Sequence, residues 1–133
     1  MSPVPHAERI PYLLRHCRTI AVVGLSPKPH RASFDVARYM QGNGYRIIPI
    51  NPNATEVLGE KAYATLTEAA AHETIDLVDC FRNSEDIPPI AEEAIAIGAK
   101  ALWMQLGVSH PEAAARAEAA GLQVVQDHCL KID

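Results

Sequence analysis

Glycine, hydroxyl and basic side chains stand close together near the start of this 133-residue chain. Gly24 ends an apolar run, Ser26, Lys28 and Arg31 follow it, and Ser33 opens a helical pattern. A helix N-terminus after a glycine turn presents unpaired backbone N–H groups and the positive end of the helix dipole to an anion. The two basic side chains add charge for the same ligand. This spacing predicts a phosphate site, with Ser33 as the N-cap of the helix.

The sequence around this loop indicates the elements that hold it. The run Thr19–Val23 is mostly β-forming and apolar, as in a strand that is buried on both faces of a parallel sheet. Gly44, Gly98 and Gly121 each end a helical pattern, and a further apolar run follows within a residue or two. Such alternation predicts a doubly wound, Rossmann-like α/β fold.

We expect a single domain over residues 1–133, with a loosely held lead-in at residues 1–10. The sheet should contain about five parallel strands in the order 3-2-1-4-5, with helices on both faces. The five predicted strands are Thr19–Val23, Arg46–Ile50, Ile75–Phe81, Lys100–Met104 and Leu122–Gln126.

Three helix starts can be assigned from local signals. Pro11 fits the first turn of a short first helix, because its missing N–H costs nothing there. Thr65 with Glu68, and Ser109 with Glu112, have the spacing of capping boxes and predict two further helix starts.

In a doubly wound sheet the ligand crevice lies at the carboxyl ends of the strands, at the point where the strand order reverses. The predicted order places that point between strands one and four. The strand ends that would line the crevice are Gly24–Ser26, Asn51–Pro52, Phe81–Arg82 and Gln105–Gly107.

A nicotinamide dinucleotide is the first ligand to consider for such a sheet. The G-x-G-x-x-G pattern is absent, because Ser26 and Pro29 occupy the second and third glycine positions. Strand two ends in Asn51, where NAD-binding proteins carry an acidic residue that binds the ribose. NAD is therefore disfavoured. The basic loop suits a nucleotide with an additional phosphate, and its spacing fits coenzyme A and NADP equally well.

The overall composition restricts the class of protein. A net charge of −4 argues against a dedicated nucleic-acid binder. No apolar run is long enough to span a bilayer, and no residue spacing indicates a metal site. Three widely spaced cysteines fit a reducing cytoplasm without a disulfide framework.

Several short motifs resemble those of the small stand-alone CoA-binding proteins, whose fold is similar to the N-terminal CoA-binding domain of the succinyl-CoA synthetase α subunit. The resemblance covers nearly the whole chain from Thr19 onward. The motifs are Val22–Lys28, Pro49–Pro52, Leu58–Gly59, Asp76–Asp79, Phe81–Arg82, Trp103–Gly107 and Asp127–Leu130.

The resemblance implies that CoA or an acyl-CoA is bound at the carboxyl edge of the sheet. Gly24, Ser26 and the Lys28–Ser33 loop would hold the phosphates, and Asn51 and Pro52 would border the adenosine half. The pantetheine path would be flanked by Phe81, Arg82 and Gln105. The chain departs from its relatives at Asn53, where a basic side chain is common, and at His128, where many carry arginine.

Three functions remain open at this point. The first is a CoA-binding module that catalyses no reaction of its own. In that case none of the residues named above is catalytic. The second is an NADP-dependent oxidoreductase, although no Tyr-x-x-x-Lys or similar proton-donor pairing is evident. The third is a detached CoA-binding component of an acyl-CoA ligase. The sequence does not identify protein partners.

Overall fold

A computed structural model describes residues 6–131. Each apolar run of the sequence forms a strand, and each glycine stop ends a helix in the left-handed region, with φ of 92° at Gly44, 75° at Gly98 and 99° at Gly121. In chain order the elements are α1 (His6–His16), β1 (Thr19–Val23), α2 (Ala32–Gly42), β2 (Arg46–Ile50), β3 (Glu56–Val57), β4 (Glu60–Lys61), α3 (Leu66–Ala70), β5 (Leu77–Cys80), a 3-10 turn (Ser84–Asp86), α4 (Ile87–Ala96), β6 (Ala101–Met104), α5 (Pro111–Ala119) and β7 (Gln123–Val125).

The main sheet confirms the predicted Rossmann-like α/β class. Its five strands are all parallel and lie in the order β2-β1-β5-β6-β7. The register places Val23 of β1 opposite Ile50 of β2 and Cys80 of β5, so the three strands end at one edge.

The 3-2-1-4-5 pattern is completed by a segment other than the expected one. A parallel bridge joins Tyr63 to Ile50 on the outer side of β2 and occupies the third-strand position. The predicted third strand, now β5, lies beside β1 instead. The reversal point therefore lies between β1 and β5, and Phe81 rather than Gln105 faces Gly24 across it. A single bridging residue leaves no apolar run in the sequence, which is why this position was assigned to the wrong segment.

Helices cover both faces of the sheet, as predicted. On one face α3, α4 and α5 bury Leu66, Ile90 and Ala114 against alternate strand residues such as Ala21 and Val78. The opposite face is covered by α1 and α2 together with Leu130 near the C-terminus. Because both faces of the described sheet are buried, we expect a ligand to reach the strands at their carboxyl edge.

The first helix begins earlier than predicted. It starts at His6, inside the predicted lead-in, and Pro11 therefore lies within it rather than in its first turn. Residues 1–5 of the lead-in are outside the described residues. Arg9 is almost completely buried and donates to Glu118 at 2.9 Å and to the carbonyl of Val124 at 2.8 Å, so this helix is tied to α5 and β7.

For one of the two predicted capping boxes, the predicted N-cap residue is confirmed. Thr65 caps α3, and its Oγ1 accepts a hydrogen bond from the N–H of Glu68 at 3.1 Å. The other prediction is wrong, because α5 is capped by His110, whose Nδ1 accepts from the N–H of Ala113 at 3.1 Å. Pro111 occupies the start of this helix, which makes the preceding histidine its N-cap.

Among residues 6–131, no helix combines the length and the apolar character that crossing a membrane requires.

Candidate ligand-binding site

Two adjoining clefts open at the carboxyl edge of the sheet, and Gly24 and Phe81 belong to both. The loop cleft, of about 370 Å³, follows the turn between β1 and α2 and is lined by Gly24, Ser26, Lys28, Arg31, Ala32, Ser33 and Phe81. The main cleft, of about 540 Å³, lies between the ends of β1, β2 and β5 and the helices α3 and α4. It is lined by Val23, Gly24, Ile50, Asn51, Pro52, Asn53, Ala64, Thr65, Leu66, Phe81, Arg82, Glu85, Asp86, Pro89, Ile90 and Glu93.

Hydrogen bonds to two serine hydroxyls shape the loop cleft. Ser33 Oγ accepts from the N–H of Ser26 at 3.0 Å, and Ser26 Oγ accepts from the N–H of Lys28 at 3.1 Å. Ser33 is buried in the first turn of α2, and the N-cap is Arg31, which makes no side-chain cap bond. The prediction that Ser33 is the N-cap is therefore wrong. Its hydroxyl fixes the path of the loop across the helix start.

Gly24 allows the ends of β1 and β5 to approach each other. Its φ is +88°, and a Cβ at this position would collide with the carbonyl oxygen of Phe81 and lie 3.1 Å from Cδ of Arg82. The N–H of Phe81 also donates to the carbonyl of Val23 at 2.9 Å. Only glycine satisfies both the left-handed backbone and this contact.

Asn51 connects the end of β2 to the loop cleft. Its Nδ2 donates to the carbonyl of Leu25 at 3.0 Å, and its Oδ1 accepts from the N–H of Asn53 at 2.9 Å. The side chain therefore holds the residue after Gly24 in place and turns the chain towards Pro52, which lines the main cleft.

The two clefts differ in charge. Lys28 and Arg31 are exposed beside the first turn of α2, and neither forms an ion pair with another described residue. The far side of the main cleft carries the carboxylates of Glu85, Asp86 and Glu93.

Charged side chains in the main cleft have partners within the protein. Glu93 Oε2 accepts from the N–H and Oγ1 of Thr67, at 2.9 and 2.8 Å, which joins α4 to α3. Arg82 forms a half-exposed ion pair with Asp86 at 3.7 Å. Its aliphatic stem passes over Gly24, at the junction of the two clefts.

Gln105 is buried beneath the edge rather than exposed in either cleft. It is 3% exposed, and its Nε2 donates to Oδ1 of Asp79 at 2.6 Å. Its Oε1 accepts from the N–H of Leu130 at 3.4 Å. Burial raises the pKa of the Asp79 carboxyl to about 7, an effect that the Gln105 hydrogen bond partly offsets.

The structure thus brings together every predicted site residue except Gln105. Gly24, Ser26, Lys28, Arg31, Ser33, Asn51, Pro52, Phe81 and Arg82 all line one cleft or both. Sequence reasoning missed the wall formed by Thr65, by the carboxylates and by the start of α4. The position of Glu85 and Asp86, in the segment between β5 and α4, was the available signal, since chain segments that follow strand ends line such crevices. The described residues contain no group of three or more His, Cys, Asp or Glu side chains that could hold a metal ion.

Comparison with known proteins identifies relatives over nearly the whole chain. The chain is 41% identical over 128 residues to the uncharacterized protein YneT of Bacillus subtilis strain 168, covering 96% of this chain and 93% of YneT. A hypothetical protein from Pyrococcus horikoshii OT3 superimposes with a TM-score of 0.89 at 34% identity, covering 99% of this chain and 95% of that one.

A larger enzyme shares a more distant similarity. The acetate–CoA ligase (ADP-forming) II of Archaeoglobus fulgidus is 25% identical over 119 residues, which are 86% of this chain but only 17% of the ligase. The sequence profile of the CoA binding domain matches residues 18–133. The chain therefore belongs to the family of CoA-binding domains.

Proposed function

We propose that the protein binds coenzyme A, or an acyl-CoA, across the loop cleft and the main cleft without catalysing a reaction of its own. The observation that carries this proposal is the continuity of the two clefts at Gly24 and Phe81, together with their difference in charge. Coenzyme A joins a highly anionic part to uncharged polar and apolar parts, and it needs both kinds of surface in contact.

The phosphates belong in the loop cleft. The first N–H groups of α2 have no partner inside the helix, and the helix dipole favours an anion at this end. Lys28 and Arg31 supply two charges that no carboxylate of the described residues neutralises. The serine hydroxyls hold the loop open, and Gly24 allows a ligand to lie against the backbone.

The rest of the ligand occupies the main cleft. Asn51 and Pro52 border the adenosine half, and Phe81 and Arg82 flank the pantetheine path. The carboxylates on the far wall repel phosphate but accept hydrogen bonds from amines and amides, such as those of adenine and pantetheine. Gln105 supports the site from beneath, because it is buried and bonded to Asp79.

The competing nicotinamide nucleotides are less well accommodated. The protein lacks the acidic residue that would bind the ribose of NAD, since β2 ends at Ile50 and Asn51 follows it. NADP would use the cationic loop, but the family to which the chain belongs favours CoA. The ligase resemblance extends over 17% of that enzyme, so acyl-CoA synthesis is not transferred to this chain. The proposal places the protein in the cytoplasm, where its three unpaired thiols would stay reduced.

Thermal unfolding with a panel of nucleotides tests the proposal. A ligand at 100 times its Kd stabilises the native state by about 2.7 kcal/mol, which corresponds to a shift of several degrees. We expect that shift with CoA, a smaller one with dephospho-CoA and none with NAD. Equal shifts with CoA and NADP, or no shift with millimolar CoA, would contradict the assignment.

Charge-removal variants test the location of the site. Arg31→Ala should weaken CoA binding by about 1–3 kcal/mol, the value of a charge-assisted hydrogen bond. Lys100→Ala is the matched control, because it removes the same charge at the opposite edge of the sheet, where Lys100 pairs with Asp76 at 3.4 Å. Unchanged affinity in a Lys28→Ala/Arg31→Ala double variant would contradict the assignment of these two side chains to the phosphates.

A further inference from the structure

The chain returns to the carboxyl edge after β7, in what is here called the C-terminal segment (residues 126–130). This segment lies along the loop that follows β6 (residues 105–110, the β6 loop). Six hydrogen bonds join the two, or join the segment to the end of β6. They are His110 N to Gln126 Oε1 at 2.9 Å, Gly107 N to Asp127 Oδ1 at 2.6 Å, Asp127 N to Val108 O at 3.0 Å, His128 N to Met104 O at 3.3 Å, Trp103 Nε1 to His128 O at 2.9 Å and Leu130 N to Gln105 Oε1 at 3.4 Å.

Asp79 lies beneath this network, inside the sheet. It is 1% exposed, and its Oδ1 accepts the short hydrogen bond from Gln105. Its Oδ2 is buried and makes no hydrogen bond with any described residue. Gln105 therefore donates to β5 with one end of its amide and accepts from the C-terminal segment with the other. A single side chain connects the two elements.

The surroundings of Asp79 disfavour a charge. Val22 of β1 and Trp103 of β6 flank it at the same level of the sheet, and both are apolar and buried. The adjacent Cys80 is the titratable neighbour, and its own pKa is raised by burial and then by Asp79. His128, on the C-terminal segment, meets this network through its backbone, and Asp127 bonds to the exposed Gly107. An ionised Asp79 would be a buried charge with one donor, which is a costly state.

The network reaches the clefts at two points. Asp79 precedes Phe81 by two residues, and Phe81 lines both clefts. The N–H of Ser109 in the β6 loop donates to Oγ of Ser84 at 3.1 Å, at the start of the 3-10 turn that carries Glu85 and Asp86. Movement of the β6 loop would therefore reach the wall of the main cleft.

We propose that Asp79 is a positioning residue that works as an uncharged carboxylic acid. In that state it orients the Gln105 amide, and Gln105 holds the C-terminal segment and the β6 loop against the strand ends. Ionisation strengthens the hydrogen bond from Gln105 but leaves a buried charge whose Oδ2 has no donor among the described residues. The C-terminal segment must then move to admit water to this charge, and its movement loosens the wall of the clefts. The last step rests on the proposed function, whereas the coupling of Asp79 to the C-terminal segment does not.

The sign of the pH dependence follows from the pKa of about 7 in the folded state, above the ordinary value of 3.8. Between these values the folded state binds the proton and the unfolded state does not, so stability falls as pH rises through this window. Below the window both states are protonated, and above it both are ionised, so this contribution stops changing.

Trp103 is the chain's only tryptophan, and its indole donates directly to the C-terminal segment. We expect its fluorescence to change between pH 5.5 and 8.5 without ligand, with a midpoint near 7. Asp79→Asn keeps an acceptor for Gln105 but cannot ionise, so its fluorescence should stay constant. His128→Gln keeps the backbone carbonyl and should retain the transition. A transition that persists in Asp79→Asn, or disappears in His128→Gln, would overturn the proposal.

Chemical denaturation gives a second readout of the same group. The urea midpoint of the wild type should fall as pH rises from about 4 to about 7, relative to Asp79→Asn at each pH. If Asp79→Asn fails to fold, Gln105→Leu replaces it. At low pH, the fluorescence of Gln105→Leu should already resemble that of the wild type at high pH. Parallel pH profiles of the urea midpoint for the wild type and Asp79→Asn, or wild-type fluorescence at low pH in Gln105→Leu, would contradict the role of an uncharged Asp79.

CoA binding tests the link to the clefts. Kd should rise severalfold from pH 6 to pH 8.5 in the wild type beyond any change in Asp79→Asn, which corrects for ionisation of CoA itself. Equal changes in both proteins would overturn the link. Absence of CoA binding at every pH would instead refute the proposed function, and the fluorescence experiment would still decide the role of Asp79.

Discussion

Gly24 shows how one residue type sets the geometry of the carboxyl edge. The glycine was identified from the sequence as part of a turn, and the structure adds the close approach of β5. Its backbone has a φ of +88°, and the carbonyl of Phe81 occupies the space that a side chain would need. The two requirements are physically separate, because a residue can be left-handed without being crowded.

Gly24→Ala and Gly44→Ala separate these requirements. Gly44 has a similar φ of +92°, but a Cβ there would meet no atom within 4 Å. We expect Gly44→Ala to cost about 1–2 kcal/mol through its backbone alone. Gly24→Ala should cost about 1–3 kcal/mol more, because the end of β5 must move. The free energy of unfolding from urea titrations measures both, and equal losses would mean that the strand end shifts freely.

At the scale of elements, repetitive patterns were predicted well and single-residue features were not. Apolar runs and glycine stops located the five long strands, because burial on two faces and left-handed helix ends restrict residue type strongly. The one-residue bridge at Tyr63 has no such pattern, and its position in the sheet was given to β5. Six of the ten proposed site residues lie at predicted strand ends and line a cleft, and Lys28, Arg31 and Ser33 follow from the glycine turn and the helix start instead. Gln105 also lies at a strand end, but its side chain is buried and donates to Asp79.

The start of α5 was predicted incorrectly because two local signals compete there. Ser109 and Glu112 match a capping box, whereas Pro111 prefers the first helical position and makes His110 the cap. His110→Ala should destabilise the protein by about 1 kcal/mol, the net value of one hydrogen bond. Ser109→Ala should have an effect below about 0.5 kcal/mol, since only the backbone N–H of Ser109 bonds, to Ser84. The reverse ranking in denaturant titrations would restore the capping box.

At the scale of the whole molecule, the charge of the protein and the charge of its proposed site have opposite signs. The net charge is −4, yet the loop cleft presents two cations without carboxylate partners among the described residues. A chain of this length has a radius of gyration of about 14 Å. The Debye length is about 10 Å at 0.1 M salt, so charges spread over a molecule of this size are partly screened from the loop cleft, whereas a phosphate in contact with Lys28 or Arg31 is screened much less.

Salt should consequently affect the two steps of CoA binding differently. Long-range repulsion between an anionic protein and an anionic ligand slows association at low salt, so added salt should leave the association rate unchanged or raise it. Contacts of Lys28 and Arg31 with phosphate act over a few ångströms, at about 4 kcal/mol for each pair before desolvation, and therefore dominate the affinity. Because both side chains are exposed, salt should accelerate dissociation and weaken binding overall.

Stopped-flow measurements from about 0.05 to 0.5 M salt separate the rates, and the Lys28→Ala/Arg31→Ala variant should lose most of the salt dependence of dissociation. A wild-type dissociation rate that does not depend on salt would mean that the phosphates are held by the backbone of α2 rather than by these two side chains.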